Sequence, residues 1–311
     1  MTAWPHLDYT ADRPTIESCH MVSQLVGKLP TRLHPWVNHG WHVALRVSPR
    51  GFVTRSMPAG DGRSFTVEID MRDGCLRIAC DNGGAWQVGF VGKTIAVLQS
   101  DLRKTLEDAS LPAPLHGGPN EVIDAVLFAR DDTARPWDAD AALRLHGAFA
   151  AADRVFNAFR SLYLGKSSPS HMFWGSFDLA VTRFSGRRAP PHPGGFPNLP
   201  DHVTREAYSH EVISAGFWPG GGGVDEAAFY AYAYPSPDEL GDAAASPESA
   251  YWHADLGEFV ITYADVAASN DPDAALMAFL QSTYDAAAER LDWPTDCAVR
   301  QPSYGSPAQT V

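Results

Sequence analysis

The stretch ADAALRLHGAFAAADRVFNAFRSLYLGK, residues 139 to 166, sets Leu145, Phe149, Phe156, Phe159 and Leu162 at helical intervals. It closes on Gly165, a residue type that commonly stops helices, so a helix is predicted over about 139–164. Pro169, His171 and Trp174 follow, and then Phe177-Asp178-Leu179-Ala180-Val181-Thr182 reads as a strand. The same order occurs nearer the N-terminus. A periodic run from Asp12 to Lys28 carries Ile16, Cys19, Val22, Leu25 and Val26, and closes on Gly27-Lys28. Pro, His and Trp residues follow again, and then the strand-like Trp41 to Val47.

Working outward, further strands are expected at Phe65 to Met71 and Cys75 to Cys80, divided by turn signals such as Arg72-Asp73-Gly74. A helix is expected over Thr94 to Asp108, with Ile95, Leu98, Leu102 and Leu106 on one stripe. In the second half, strands are expected at Ala207 to Ala215, Ala228 to Tyr234 and Glu258 to Tyr263, and a closing helix at Pro272 to Leu291. The fold class is α+β: antiparallel sheets with packed helices, arranged as two diverged copies of helix, sheet, helix or as a chance likeness between α+β halves. The expected division is an N-terminal lobe, 1–118, and a C-terminal lobe, 119–311, as separate bodies or as one compact domain.

Composition narrows the function classes. The 311 residues are 45% hydrophobic and 20% charged, close to globular averages. A formal charge of -13 opposes phosphate backbones and anionic lipid, so nucleic-acid and membrane partners are not expected. No apolar run approaches the length of a spanning helix, and the start lacks a basic segment leading into an apolar one, so the expected compartment is the cytoplasm. Cys19, Cys75, Cys80 and Cys297 form no CxxC pair and read as reduced, packed thiols. Gly220 to Gly223 lacks the spacing of a dinucleotide fingerprint, and Gly165-Lys166-Ser167 has Arg160 where a Walker loop needs glycine, so no nucleotide-binding motif is present. A Gly-x-Ser-x-Gly elbow is absent too.

Polar and aromatic residues concentrate between 165 and 220. On a strand of period two, Trp174, Ser176, Asp178, Ala180 and Thr182 share one face, and Phe177, Leu179 and Val181 the other. A carboxylate beside an aromatic suits a partly enclosed pocket, where desolvation raises its pKa toward general-base use; the plain alternative is an Asp178 paired with Arg183 or Arg187 to hold a loop. Asp178, His210, Glu206 and Arg183 are therefore the candidate catalytic residues, with Trp174, Tyr208, Trp218 and Arg187 for substrate binding. His171 and His210 with one carboxylate would suit zinc or iron, although no short motif fixes their spacing and a chain with 12 histidines offers many such triplets. Arg183, Arg187 and Arg188 would meet an anionic group on a ligand. His39, Trp41 and His42 form a smaller echo in the first half. Trp174, Tyr208, Phe217, Trp218, Tyr230, Tyr232, Tyr234 and Trp252 favour a planar or apolar ligand.

The strings GKSSPSHMFWGSFDLAVTRFSGRRAP, EAYSHEVISAGFWPG and FYAYAYP, with QLVGK and VNHGWHVAL earlier, resemble a bacterial group catalogued as domain of unknown function 5996. The resemblance spans nearly the whole chain and implies no catalytic residues. It also implies that relatives carry extra histidines where this chain has residues 72–75 and 132–135, so a metal site built there would be missing here. The expected function is an enzyme acting on a small anionic or aromatic molecule through these His, Asp, Glu and Arg side chains, with or without a metal. A non-catalytic binding protein and a buried structural network stand beside it. The oligomeric state stays open.

Overall fold

A computed structural model of the chain describes residues 4–196, 199–221 and 224–294. The chain begins with α1 (Tyr9–Leu33), capped by Asp8, whose side chain accepts from the Ala11 N–H at 3.1 Å. Six strands follow: β1 (Arg46–Ser48), β2 (Gly51–Val53), β3 (Met57–Pro58), β4 (Ser64–Asp70), β5 (Cys75–Cys80) and β6 (Ala85–Gly89). They form an antiparallel meander in the order β1-β2-β4-β5-β6, with β3 paired to β4. Helix α2 (Ile95–Asp108) starts where the Thr94 hydroxyl caps it and packs on β6.

Helix α3 (Ala139–Ser161) opens the second half, capped by Asp138. The second sheet contains β7 (Lys166–Ser167), β8 (His171–Phe173), β9 (Asp178–Arg188), β10 (His210–Trp218), β11 (Ala228–Tyr234), β12 (Tyr251–His253) and β13 (Glu258–Thr262). Its order is β12-β13-β11-β10-β9-β7, all antiparallel, with β8 also on β9. Helix α4 (Asp201–Ala207) lies between β9 and β10; α5 (Tyr263–Ala268) and α6 (Pro272–Arg290) follow β13. The α+β class is thus as expected. Each half runs helix, antiparallel sheet, helix, although the second sheet is longer and places β13 between β11 and β12.

The halves share one core. A continuous hydrophobic cluster includes Leu25 and Val26 of α1, Phe52 of β2, Phe149 of α3, Phe177, and Phe217 of β10. Phe149 sits at the centre, edge-on to Phe52 at 4.9 Å and to Phe217 at 5.0 Å. Leu45 and Met172 exchange backbone hydrogen bonds of 2.9 and 2.8 Å, which joins the two sheets. The buried Asp12 of α1 pairs with Arg144 of α3 at 2.5 Å. Buried side chains from both sides of residue 118 thus belong to one cluster.

Three elements depart from the sequence reading. Helix α1 does not stop at Gly27 but runs to Leu33, with Pro30 in its last turn. Gly27 is small for another reason: a Cβ there would lie 2.3 Å from the Trp174 indole, so it marks a close approach, not a stop. The expected strand Trp41 to Val47 shrinks to β1, because a 3₁₀ turn at Asn38–Gly40 precedes it. The expected strand Ala207 to Ala215 begins only at His210, since Asp201–Ala207 is helical.

Candidate functional site

One face of the second sheet carries Leu179, Val181 and Arg183 of β9 and Phe217 of β10 against the helices α3 and α6. The opposite face carries Asp178, Ala180 and Thr182 of β9, Ser214 of β10, and Tyr230 and Tyr232 of β11. These residues line a cavity of about 420 Å³. The alternation predicted from the sequence for Asp178, Ala180 and Thr182 holds. Helix α4 and Tyr208 roof the cavity, Phe173 and Trp174 form a wall, and Trp36, His39 and His42 reach in from the first half with Asn120 and Glu121 from the long connection.

At the sheet end, Tyr230 Oη donates to Asp178 Oδ2 and Ser176 Oγ donates to Asp178 Oδ1. Neighbouring strands make this possible. Gly216 of β10 pairs with Ala180 on one side and Tyr230 on the other, and a Cβ at 216 would lie 2.3 Å from the Tyr230 ring. Without that Cβ the tyrosine lies flat across β10 and reaches the carboxyl on β9. A second polar row crosses the sheet beside it: Thr182 and Ser214 hydroxyls at 2.9 Å, Ser214 to Tyr232, and Tyr232 to Tyr208 at 2.8 Å between phenol oxygens.

Burial pushes the Asp178 carboxyl above the usual aspartate range, and the two hydroxyls that donate to it offset part of that rise. Burial, and then the Asp178 carboxylate, hold Tyr230 well above an ordinary phenol. Two more carboxyls feel Asp178. Glu258, one position before the Phe259 that pairs with Ala231, is pushed up to about 7, by burial first and by Asp178 second. Glu121 moves to about 7 for the same reasons; it is exposed as a residue, but its carboxyl lies over Gly175, where a Cβ would sit 2.0 Å from Oε1. Solvent contact weakens that shift relative to the one at Asp178. His39 falls to about 4 through burial, and buried His42, lowered chiefly by desolvation, accepts the Val37 N–H on Nδ1 at 3.3 Å. Both rings are neutral at neutral pH.

Of the residues singled out in the sequence, the structure brings Asp178, Trp174 and Tyr208 to the cavity, with His39 and His42 from the first-half echo. Trp174 also fixes the wall, its Nε1 donating to the Val43 carbonyl at 3.0 Å. The others lie elsewhere. Arg183 is fully buried on the opposite face of the sheet, its guanidinium 3.5 Å from the Phe159 ring centre and 4.3 Å from that of Tyr284, donating to the Phe159 carbonyl at 2.6 Å. Arg187 pairs with Glu211 at 2.9 Å and donates to the Leu291 and Asp292 carbonyls, which ties down the end of α6. An anion-binding role loses these two arginines, because neither faces the cavity. Trp218, the last residue of β10, does not line it.

Glu206 accepts from the Trp36 indole N–H and, with His210, lines a separate small cleft beside Lys166. His171 is buried in β8, its ring 4.7 Å from Phe173 and 6.1 Å from Trp41, and desolvation lowers it to about 3. Among the described residues no group of three or more His, Cys, Asp or Glu side chains is placed to hold a metal ion. The zinc or iron site expected from His171, His210 and a carboxylate is therefore not assembled by those residues. Cys19, Cys75 and Cys80 are free and buried, and Cys297 lies outside the described residues.

Sequence reasoning missed Glu121, Trp36, His202 and Thr204 as cavity residues, since all lie in segments whose path over the sheet has no periodic signal. Tyr230 and Tyr232 had one, the alternation in Phe-Tyr-Ala-Tyr-Ala-Tyr, but not which face was enclosed. No helix among the described residues is long and apolar enough to cross a membrane. No curated protein and no solved structure matches the chain. The family model described as a family of unknown function, DUF5996, matches residues 4–299, nearly the whole chain. The chain therefore belongs to the DUF5996 family.

Proposed function

We propose that the chain is an enzyme that moves a proton to or from a small, largely apolar or aromatic molecule held over the second sheet. Asp178 carries the proton and Tyr230 positions it. One observation supports this above the rest: a buried carboxyl, held by two hydroxyls, opens on a cavity otherwise walled by Trp174, Phe173, Tyr208 and Tyr232. A raised carboxyl pKa is the direction acid–base catalysis at neutral pH requires. The cavity volume lies at the small end of ligand sites, about 300–1,000 Å³. Free buried thiols fit a reducing, cytoplasmic compartment, and the acidic charge fits a small-molecule partner better than nucleic acid or an anionic membrane.

A non-catalytic binding protein is the second reading. It is favoured by the fact that both Asp178 oxygens already accept hydroxyl hydrogen bonds, as they would in a group that only orients a ligand. The test is incubation of the purified protein with a bacterial metabolite extract, followed by mass spectrometry over time. The enzyme reading expects one metabolite to fall and a product to rise, about 10²-fold slower with Asp178→Asn. A metabolite retained without conversion would move the protein to the second reading. Neither depletion nor retention would defeat both.

A further inference from the structure

The cavity carries formal charge of one sign. Asp178 and Glu121 line it, Glu258 is close enough to act on Tyr232 and to feel Asp178, and no lysine or arginine is among its lining residues. Arg55 acts on the lining residue His42 from outside the lining, and two other cations close by are committed elsewhere. Lys28 lies behind the wall, its Nζ 5.0 Å from the Trp174 ring centre and bonded to the Asn120 side chain, and Arg183 is on the other face of the sheet. His39 and His42 are neutral. The remaining lining includes the rings of Trp36, Trp174, Tyr208 and Tyr230, and the faces of such rings attract a cation. One further atom lacks a partner: Thr204 on α4, 2% exposed and part of the lining, has an Oγ1 without a hydrogen bond. A buried hydroxyl without a partner costs free energy that a ligand N–H would recover.

We infer that the molecule held here is an organic cation: a protonated amine on a compact apolar or aromatic body, its ammonium against the Asp178 and Glu121 carboxyls. This rests on the reading of the cavity as the ligand site and adds the charge of the ligand. The Asp178 carboxylate raises the proton affinity of Glu121 with no cation between them in the lining, and a bound ammonium supplies the missing opposite charge. An anionic ligand would add a like charge to them.

The test uses the full chain and three matched probe series: ammonium, hydroxyl and carboxylate forms of the same phenyl, indolyl and hexyl bodies, titrated calorimetrically at neutral pH. In at least one series the amine is expected to bind tightest and the carboxylate weakest. Asp178→Asn and Glu121→Gln are each expected to cut the preference for amine over alcohol by about tenfold. Glu121 lies in a connection outside the sheet, so its variant tests charge without disturbing the strands. Alcohols or carboxylates binding as tightly as amines would overturn the cation assignment and leave the ligand site standing. No binding by any member of any series would overturn both.

Discussion

At the residue scale, Gly216 and Tyr230 decide whether Asp178 is a loose surface acid or a held, desolvated one. Gly216→Ala places a methyl group 2.3 Å from the Tyr230 ring, so the phenol must leave Asp178. The expected outcome is loss of ligand binding together with a drop in stability of about 1–3 kcal/mol by urea unfolding, the cost of unpairing a buried polar group. Stability should also depend on pH through Asp178. Its folded pKa is raised above the unfolded value of 3.8, so the stability it contributes is fully present below 3.8 and is lost as pH rises through the folded value. Glu258 acts in the same sense between 4.5 and about 7. Asp178→Asn should therefore gain stability relative to wild type as pH rises from 3.5 to 7, read as the difference in urea midpoints. A constant difference across that range would contradict the raised pKa. Period two made Asp178, Ala180 and Thr182 legible in the sequence. The same rule puts Arg183 with Leu179 and Val181, but a strand ended at Thr182 hides this, and β9 runs on to Arg188.

At the element scale, the second sheet is a partition with chemistry on one face and packing on the other. Arg183 belongs to the packing face, between α3 and α6, where Phe159, Tyr163 and Tyr284 surround its guanidinium. Desolvation lowers it to about 10, still charged at neutral pH. Arg183→Ala should cost about 2–5 kcal/mol of stability, as other large-to-small core changes do, with ligand affinity unchanged. A loss of affinity without a loss of stability would return Arg183 to the site. Long helices were legible because their apolar stripes repeat over many turns, as in α2 and α3. Helix α4 was not: seven residues give no stripe, and Arg205, Glu206 and Tyr208 sit as well in a strand pattern as in a helix. Gly27 misled for a physical reason, since a glycine that admits a neighbouring indole looks in sequence like one that ends a helix.

At the scale of the whole molecule, the cavity exists only where the two halves meet. His39, His42 and Val43 come from the first half, and the sheet floor comes from the second. The hydrogen bonds between Leu45 and Met172, the Asp12–Arg144 ion pair and the Tyr263 hydroxyl on the Pro5 carbonyl at 2.7 Å cross between them. The full chain should therefore unfold in one cooperative calorimetric transition, and residues 119–311 expressed alone should show none. Two separate transitions would mean that the halves fold independently. The helix, sheet, helix order of each half was visible in the sequence, but their shared core was not, because contacts such as Trp174 on Gly27 leave no local pattern. The most direct single measurement is a carbon-13 NMR titration of the Asp178 carboxyl in wild type and in Tyr230→Phe. The account predicts a pKa above 3.8 in wild type and higher still without the phenol's hydrogen bond; an Asp178 that titrates at or below 3.8 in both would contradict it.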